Sequence, residues 1–437
     1  MPVWPDSGPI HNPSYNLVEM AEKVHKAAFA SFQAAASAPG TWALLGEHTD
    51  HAGGIVLAYQ TKFRTAVVLS PRLDDAISLT CYRVGDFQQL QTQQSAAPEP
   101  VKVGSFRAEL DTSMHADTPL TSEDPAARIA NLIATMVHRQ MLSRETHGFD
   151  ITALSDIPPG AGLGEEAALE AAVVLALTAH LDDADTPPQL ARFAEACASA
   201  SATTTPAEKF QPSQLRFRYT TALRGIGNSL NVIDYADHSI SPAPGPVEFL
   251  QLVPVVVIPP SYAAQHGELA RRQAFITEAA KAFAAESLRL LPDATPRVMD
   301  WLSAVHSVHG TEGSPTLDEA RDWLTFVETE TQRATKAVRA IRSRRPEELP
   351  AILDASQAAL ASEYGVCGAD APLAELLKAR GAFTARSLEA GATGAVVALV
   401  RESQLKNFIA DLNEDGLNLI VLDSGLPAAV ALSEQAG

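Results

Sequence analysis

The alternation of apolar and polar positions along the chain predicts a protein that mixes helices and strands. Several stretches repeat apolar residues with the period of a helix that buries one face. Shorter runs rich in Val, Ile, Thr and aromatic residues indicate strands. The predicted helices are residues 15–36, 126–144, 171–179, 188–201, 267–288, 317–342, 349–361 and 403–413. The predicted strands are residues 42–45, 61–69, 76–82, 149–154, 230–235, 249–258, 383–388, 396–400 and 416–422.

The order of these elements predicts an α+β fold, in which helices pack on one face of a mixed sheet. A length of 437 residues is too great for one ordinary core and indicates two domains. The proline-rich residues 242–246 are the predicted junction between them. We therefore expect one domain over residues 1–241 and another over residues 242–437.

Residues 39–54 combine a short apolar run with a dense polar cluster, in the sequence PGTWALLGEHTDHAGG. The apolar run has the length of a buried strand, and the glycine pair that ends the stretch is typical of a turn. Carboxylates and an imidazole on rigid backbone at a strand end suit a polyhydroxylated ligand, because each can bind a pair of hydroxyls. A polar hairpin turn that binds nothing explains the same residues.

Residues 156–170, DIPPGAGLGEEAALE, follow a predicted strand and lead into a long Ala/Leu-rich helix. Gly160 and Gly162 permit positive φ, and the helix that follows offers unpaired N–H groups and a partial positive charge. This arrangement is typical of a turn that binds phosphate. A sharp turn without a ligand is the alternative interpretation.

Composition narrows the classes of partner. The chain carries 33 Lys and Arg against 52 Asp and Glu, a net charge of -19, which argues against nucleic acid and against anionic membranes as partners. Its three cysteines are far apart and lack metal-binding spacing, so we expect no disulfide framework, no metal site and a reducing cytoplasmic location. We expect neither a signal peptide nor a membrane-spanning segment.

These motifs together resemble those of the galactokinases of the GHMP kinase superfamily. Residues 39–54 are similar to the family signature P-G-R-V-N-L-I-G-E-H-T-D-Y-N-G-G, and residues 156–170 to the phosphate loop D-x-P-x-G-A-G-L-S-S-S-A. Four later segments resemble family motifs in the same order: residues 267–273 (GELARRQ), 327–333 (VETETQR), 356–366 (SQAALASEYGV) and 385–400 (ARSLEAGATGAVVALV).

The resemblance implies a GHMP kinase fold with an S5-like N-terminal domain and a ferredoxin-like C-terminal domain. It also implies transfer of the γ-phosphoryl group of Mg-ATP to the anomeric hydroxyl of galactose. By position, Glu47, His48 and Asp50 match the residues that contact the sugar. The alternative is that these three side chains only hold a loop through internal hydrogen bonds.

The catalytic positions depart from the family pattern. The family arginine after Pro-Gly is Thr41, and the family aspartate falls at Phe217, Arg218 or Tyr219, depending on register. No acidic residue lies between Glu208 and Asp234 in the sequence, so the general base is missing in every register.

The nucleotide-binding loop departs from the pattern as well. By resemblance it comprises Gly160, Gly162, Leu163, Gly164, Glu165 and Glu166. Its last three residues replace three family serines, and two carboxylates beside a triphosphate are repulsive, although a glutamate can also bind Mg²⁺. The last glycine-rich turn of the family, G-G-G-F-G-G, is here residues 389–394, EAGATG, and keeps two glycines.

Three hypotheses follow from this mixture of kept and lost motifs. In the first, the chain is a galactokinase-like protein with lost or strongly reduced kinase activity that still binds galactose or a related hexose and needs no cofactor. In the second, it is an active sugar kinase with a rebuilt site that uses Mg-ATP. In the third, it is a regulatory module that senses a sugar by binding it and contacts a protein partner.

Overall fold

The computed structural model describes residues 15–29, 32–84, 99–113, 124–203, 215–245, 247, 250–259, 266–366, 370–389 and 393–431. Its helices are α1 (Leu17–Ala28), α2 (Pro125–His138), α3 (Glu165–Thr178), α4 (Pro187–Thr203), α5 (Arg216–Arg224), α6 (His266–Ala282), α7 (Ala294–His309), α8 (Leu317–Arg342), α9 (Leu349–Ser362), α10 (Asp370–Ala379) and α11 (Glu402–Glu414). Its strands are β1 (Ala34–Leu45), β2 (Ile55–Pro71), β3 (Ala76–Val84), β4 (Pro100–Glu109), β5 (Phe149–Ser155), β6 (Leu230–Asp234), β7 (Ser239–Ala243), β8 (Leu252–Ile258), β9 (Thr384–Ser387), β10 (Val396–Arg401), β11 (Asn418–Val421) and β12 (Ala429–Ala431).

The larger sheet has the strand order β12-β1-β2-β5-β3-β4, and β6 joins it through β2 and carries β7 on its other side. The β3–β5 pair is parallel and the other pairs of this sheet are antiparallel. Helix α3 packs on β1 and β2 and is almost entirely buried. Apart from its glutamates it is apolar on every side, as expected of a helix that is mostly surrounded by protein.

The smaller sheet has the order β11-β8-β10-β9, with antiparallel pairing throughout. Strands β8, β9, β10 and β11 are the first to fourth strands of this sheet along the chain, so its spatial order is 4-1-3-2. This is the ferredoxin-like arrangement. Helices α10 and α11 pack on this sheet. Val255 and Val257 face Phe408 and Leu412 in its buried core.

Helix α8 begins and ends at the predicted residues, because its sequence signals agree with one another. Thr316 and Glu319 form a reciprocal capping box at its start, and one face of the helix is buried over its length. The strand pairing of Trp42 with Tyr59, whose rings stack with centroids 4.8 Å apart, likewise fits the predicted strand.

The predicted helix over residues 15–36 is wrong in its last third. Helix α1 ends at Ala28, and Ala34–Leu45 is strand β1. Alanine favours a helix, but Ala36 pairs with Val67 of β2 and Val430 of β12, so hydrogen bonding on both sides outweighs the local preference. The glutamine-rich residues 88–100 have the composition of an exposed loop, and this prediction lies outside the described residues up to residue 98.

Helices α5, α7 and α10 and strands β4, β7 and β12 were not predicted, while the α+β class is confirmed. The boundary between residues 241 and 242 stays a prediction, and β12 lies in the larger sheet beside β1. Among the helices that the structure describes, none has the length and apolar character needed to cross a bilayer.

Candidate functional site

Strand β1 ends in a tightly folded loop that contains the polar cluster. Gly46 follows the strand with φ +84°, and a Cβ atom there would lie 2.0 Å from the carbonyl oxygen of Ile55. Only glycine fits this position. The Thr49 hydroxyl donates a 2.9 Å hydrogen bond to the Gly46 carbonyl oxygen and closes the turn. The backbone that carries the cluster is therefore rigid.

The three predicted sugar residues all lie inside the protein, each about 1% exposed. The Oε1 atom of Glu47 accepts a 3.1 Å hydrogen bond from the backbone N–H of Glu389. Asp50 accepts hydrogen bonds from the backbone N–H groups of His51, at 2.8 Å, and Phe217, at 3.2 Å. Since Phe217 lies in the first turn of helix α5, the Asp50 carboxylate also stabilises the start of that helix.

His48 has a different environment from its two neighbours. Its ring lies 5.1 Å from the Tyr364 ring and 6.4 Å from the Phe326 ring, centroid to centroid. Burial, and then the nearby charge of Arg386, lowers its pKa well below the ordinary value, so the imidazole is neutral. Within the described part of the chain, neither of its ring nitrogens has a hydrogen-bond partner.

The second predicted motif forms a strand, a glycine-rich turn and a helix, as the sequence indicated. Gly160, Gly162 and Gly164 each have φ +70°, and helix α3 begins at the next residue. Thr41 of β1 donates its backbone N–H to the carbonyl oxygen of the buried Leu163 at 2.8 Å. This contact joins the turn to the strand that carries the polar cluster.

Both glutamates at the start of helix α3 are paired with arginines. Glu165 accepts hydrogen bonds of 3.0 Å from Arg83 of β3, and Glu166 accepts one of 2.5 Å from Arg128 of α2. Arg128 also binds the buried Glu170, one turn further along α3. The carboxylates at this helix start are thus neutralised by the protein's own cations.

Arg218 of helix α5 is completely buried and connects the two motifs. Its Nη1 atom donates to the Thr41 carbonyl oxygen at 2.6 Å, and its Nη2 atom donates to the Gly162 carbonyl oxygen at 3.1 Å. The same Nη2 atom lies 2.7 Å from Oε1 of Glu389 and 3.9 Å from Oε1 of Glu47. Burial raises the pKa of Glu389 and the nearby Arg218 charge opposes that rise.

Comparison with known proteins matches both motifs. Residues 23–71 match the galactokinase galactose-binding signature, and residues 128–207 match the GHMP kinase N-terminal domain. Human galactokinase is 30% identical over 166 residues, 38% of this chain and 36% of that protein, and the bovine enzyme is 31% identical over 186 residues, 42% of each. Over these segments the chain is galactokinase-like and matches the N-terminal domain of GHMP kinases. The alignments span well under half the length of these curated relatives.

Solved structures show that the family fold extends over nearly the whole galactokinase-like chain. Lactococcus lactis galactokinase in complex with galactose superposes with a TM-score of 0.68 at 19% identity, covering 95% of this chain and all of the other. Methanococcus jannaschii mevalonate kinase gives a TM-score of 0.56 at 13% identity, covering 90% and 99%. The GHMP kinase fold is confirmed.

The three residues considered for the family aspartate position occupy different environments in this galactokinase-like protein. Phe217 is buried in the apolar core that includes Trp323. Tyr219 points to the other side of α5 and donates its hydroxyl to Glu170. Of the three, only Arg218 contacts the phosphate loop, and which of them is at the family aspartate position stays a prediction.

Sequence reasoning missed the role of Glu330. This buried side chain on α8 accepts hydrogen bonds from the Gly46 backbone N–H at 3.3 Å, the Ser356 hydroxyl at 2.6 Å and Arg386 at 3.2 Å, and Arg333 lies 3.2 Å from its other oxygen. It therefore holds the loop with the polar cluster against the C-terminal helices. The available signal was that Glu330 lies in residues 327–333, one of the segments that resemble a family motif.

A search of the described residues finds no group of three or more His, Cys, Asp or Glu side chains arranged to hold a metal ion. The acidic side chains nearest the phosphate loop bind arginine or backbone N–H groups instead.

Proposed function

We propose that this galactokinase-like protein has lost kinase activity, or keeps only a small fraction of it, and still binds a hexose. One observation carries the proposal: a completely buried arginine, Arg218, faces the phosphate loop where the family pattern has a carboxylate. A guanidinium cannot act as a general base, because its pKa lies far above the working pH.

The phosphate loop does not fit Mg-ATP. A Cβ atom on Gly164 would lie 2.7 Å from Arg218 Nη1, so the guanidinium already fills the concave side of the turn. Glu165 and Glu166 place carboxylates where serine hydroxyls are expected, and both are held by arginines. Negative side chains at this helix start compete with phosphate for the same partial positive charge.

Support for sugar binding comes from Glu47, His48 and Asp50. They lie in the segment that matches the galactose-binding signature, and the galactokinase with the similar fold was solved with galactose. Buried polar nitrogens usually have partners, so the two unpartnered nitrogens of His48 favour a hydroxylated ligand beside this imidazole. We propose galactose or a related hexose as that ligand.

A coupled assay with galactose and Mg-ATP tests the loss of activity. We expect no phosphorylation above the background of the assay, and turnover of about 1–100 s⁻¹, the usual range for kinases, would overturn this part. Calorimetry with galactose tests the second part. We expect binding that weakens by about tenfold or more in Glu47→Gln, since a charged acceptor is lost. The matched control is the exposed Glu328→Gln on α8, which should bind as the wild type does.

A second candidate is a working sugar kinase with a rebuilt site. The observation that favours it is the close carboxylate and guanidinium pair of Glu389 and Arg218, with Glu47 beside it. Phosphoryl transfer depends mainly on positioning and electrostatics, so a carboxylate and guanidinium pair that differs from the family pattern can support the reaction. This candidate requires nucleotide binding, and calorimetry with Mg-ATP that shows no heat at millimolar concentration would remove it.

A regulatory role with a protein partner is the remaining part of the proposal. A pull-down from the native cell extract should then change when galactose is added, and recovery independent of the sugar would count against it. The scattered cysteines, which lack disulfide or metal-binding spacing, support a cytoplasmic setting for this role.

A further inference from the structure

A separate cavity lies on the face of helix α5 that points away from the phosphate loop. Arg216, Thr220 and Arg224 line it, and these residues share one face because they are four positions apart. Arg218 lies on the opposite side of the same helix. The cavity has a volume of about 750 Å³, within the range of sites that hold small molecules. Helix α4, the β6–β7 hairpin and the end of the signature stretch, at His51 and Gly53, form other walls.

The lining of this cavity is positively charged in a protein that is strongly negative as a whole. Four arginines line it, Arg139, Arg192, Arg216 and Arg224, together with His51 and His238. The carboxylates in its walls are Glu195 and Glu286. An excess of guanidinium groups in one concave site attracts anions, and their planar forks match phosphate oxygens especially well.

The carboxylates in the walls neutralise only part of this charge. Glu195 is paired with Arg216 at 2.9 Å, and Glu286 with His238 at 3.1 Å. Arg192 donates to the neutral amide oxygen of Gln189 at 2.9 Å. Among the contacts of the described residues, neither Arg139 nor Arg192 binds a carboxylate, so both guanidinium groups retain donors for a ligand.

The deeper wall is fixed in place. The Arg216 guanidinium lies over the Tyr235 ring, 5.2 Å from its centroid, and the Tyr235 hydroxyl donates to Thr220 at 3.0 Å. Arg224 donates to the His238 carbonyl oxygen at 3.0 Å. These contacts orient the two α5 arginines before any ligand binds, which lowers the entropic cost of binding.

We propose that this cavity binds a phosphorylated small molecule, with Arg139 and Arg192 as the outer contacts and Arg216 and Arg224 as the inner ones. The site does not include the phosphate loop, and it shares one loop with the proposed sugar site, since His51 and Gly53 line the cavity. The cavity gives the protein a phosphate-binding site, although the Arg218 guanidinium fills the phosphate loop.

Calorimetry on the full chain with inorganic pyrophosphate as the probe tests this site. We expect saturable binding that weakens with added salt, and a loss of about tenfold or more in affinity in the Arg139→Ala/Arg192→Ala double variant. Both side chains are exposed, so the variant should fold, which its melting temperature would check. Arg321→Ala, an exposed arginine on α8, is the control for a lost positive charge and should bind as the wild type does.

Two results would overturn the proposal. One is the lack of measurable pyrophosphate binding by the wild type up to about 10 mM, a concentration well above that of a useful site. The other is an equal affinity for pyrophosphate in the wild type, the double variant and the control. Pyrophosphate would then bind elsewhere, for example at the phosphate loop.

Discussion

The Nη1 atom of Arg218 donates a hydrogen bond of 2.6 Å to the carbonyl oxygen of Thr41. Thr41 is at the position predicted for the family arginine, and Arg218 is one of the three residues predicted for the family aspartate. A guanidinium therefore remains in this space, but it comes from helix α5 and not from strand β1. The carboxylate beside it comes from Glu389, near the last glycine-rich turn. A buried carboxylate and a buried guanidinium therefore lie side by side next to the phosphate loop.

Arg218→Met should destabilise the protein by about 3–5 kcal/mol, because it leaves the buried carboxylate of Glu389 without its cation. The double variant Arg218→Met/Glu389→Gln should recover part of this loss, since the uncompensated charge is then gone. Urea unfolding of the two single variants, the double variant and the wild type measures the coupling. Additive effects of the two substitutions would contradict a functional ion pair.

Gly164→Ala should cost more stability than Gly160→Ala, although both glycines have φ +70°. The backbone strain of a left-handed alanine, about 1 kcal/mol, is common to both variants. At position 164 the new Cβ atom would also meet Arg218 Nη1 at 2.7 Å, whereas at position 160 its nearest neighbour is a methyl carbon at 3.8 Å. Equal free energies of unfolding for the two variants would show that Arg218 does not fill the loop.

The sequence was sufficient to locate both motifs because each depends on nearby residues. Gly46 and the glycine pair at Gly53 and Gly54 identify the signature loop, and the alternation of glycines identifies the phosphate loop. The limits of α8 were also predictable, since its cap and its apolar stripe lie within the helix. Such features follow from local backbone chemistry and periodicity.

The partners of the site residues were not predictable in the same way. Glu389 lies 171 residues from Arg218, and Arg83 lies 82 residues from Glu165. Long-range pairs of this kind depend on how the two sheets and their helices assemble, and one sequence without relatives does not determine that assembly. The same reason explains why the alanines at the start of β1 were assigned to a helix.

Glu330→Gln should destabilise the protein by about 2–4 kcal/mol, because one buried carboxylate accepts donors from Gly46, Ser356 and Arg386. An amide leaves Arg386 without its counter-charge. Glu328→Gln is the matched control, since it is exposed on the same helix and should change stability by less than about 0.5 kcal/mol. Thermal or urea unfolding compares the two, and an equal effect would exclude a special role for Glu330.

Asp156, directly before the phosphate loop, should make stability depend on pH. Burial raises its pKa from 3.8 to about 7, although the Arg64 backbone N–H and the Tyr15 hydroxyl both donate to it. Between these two pKa values the folded protein holds a proton that the unfolded chain has released. The contribution of Asp156 to the free energy of unfolding is therefore complete below pH 3.8 and is lost as the pH rises through about 7. The loss is at most about 1.4 kcal/mol per pH unit.

Asp156→Asn should remove this part of the pH dependence, because the amide accepts the Arg64 N–H at any pH without carrying a charge. Urea unfolding at several pH values between about 5 and 8 would show a flatter profile for the variant than for the wild type, with the two curves separating most at the alkaline end. The exposed Asp300→Asn is the control and should follow the wild type. Parallel profiles for wild type and Asp156→Asn would mean that Asp156 stays charged in the folded protein throughout this range.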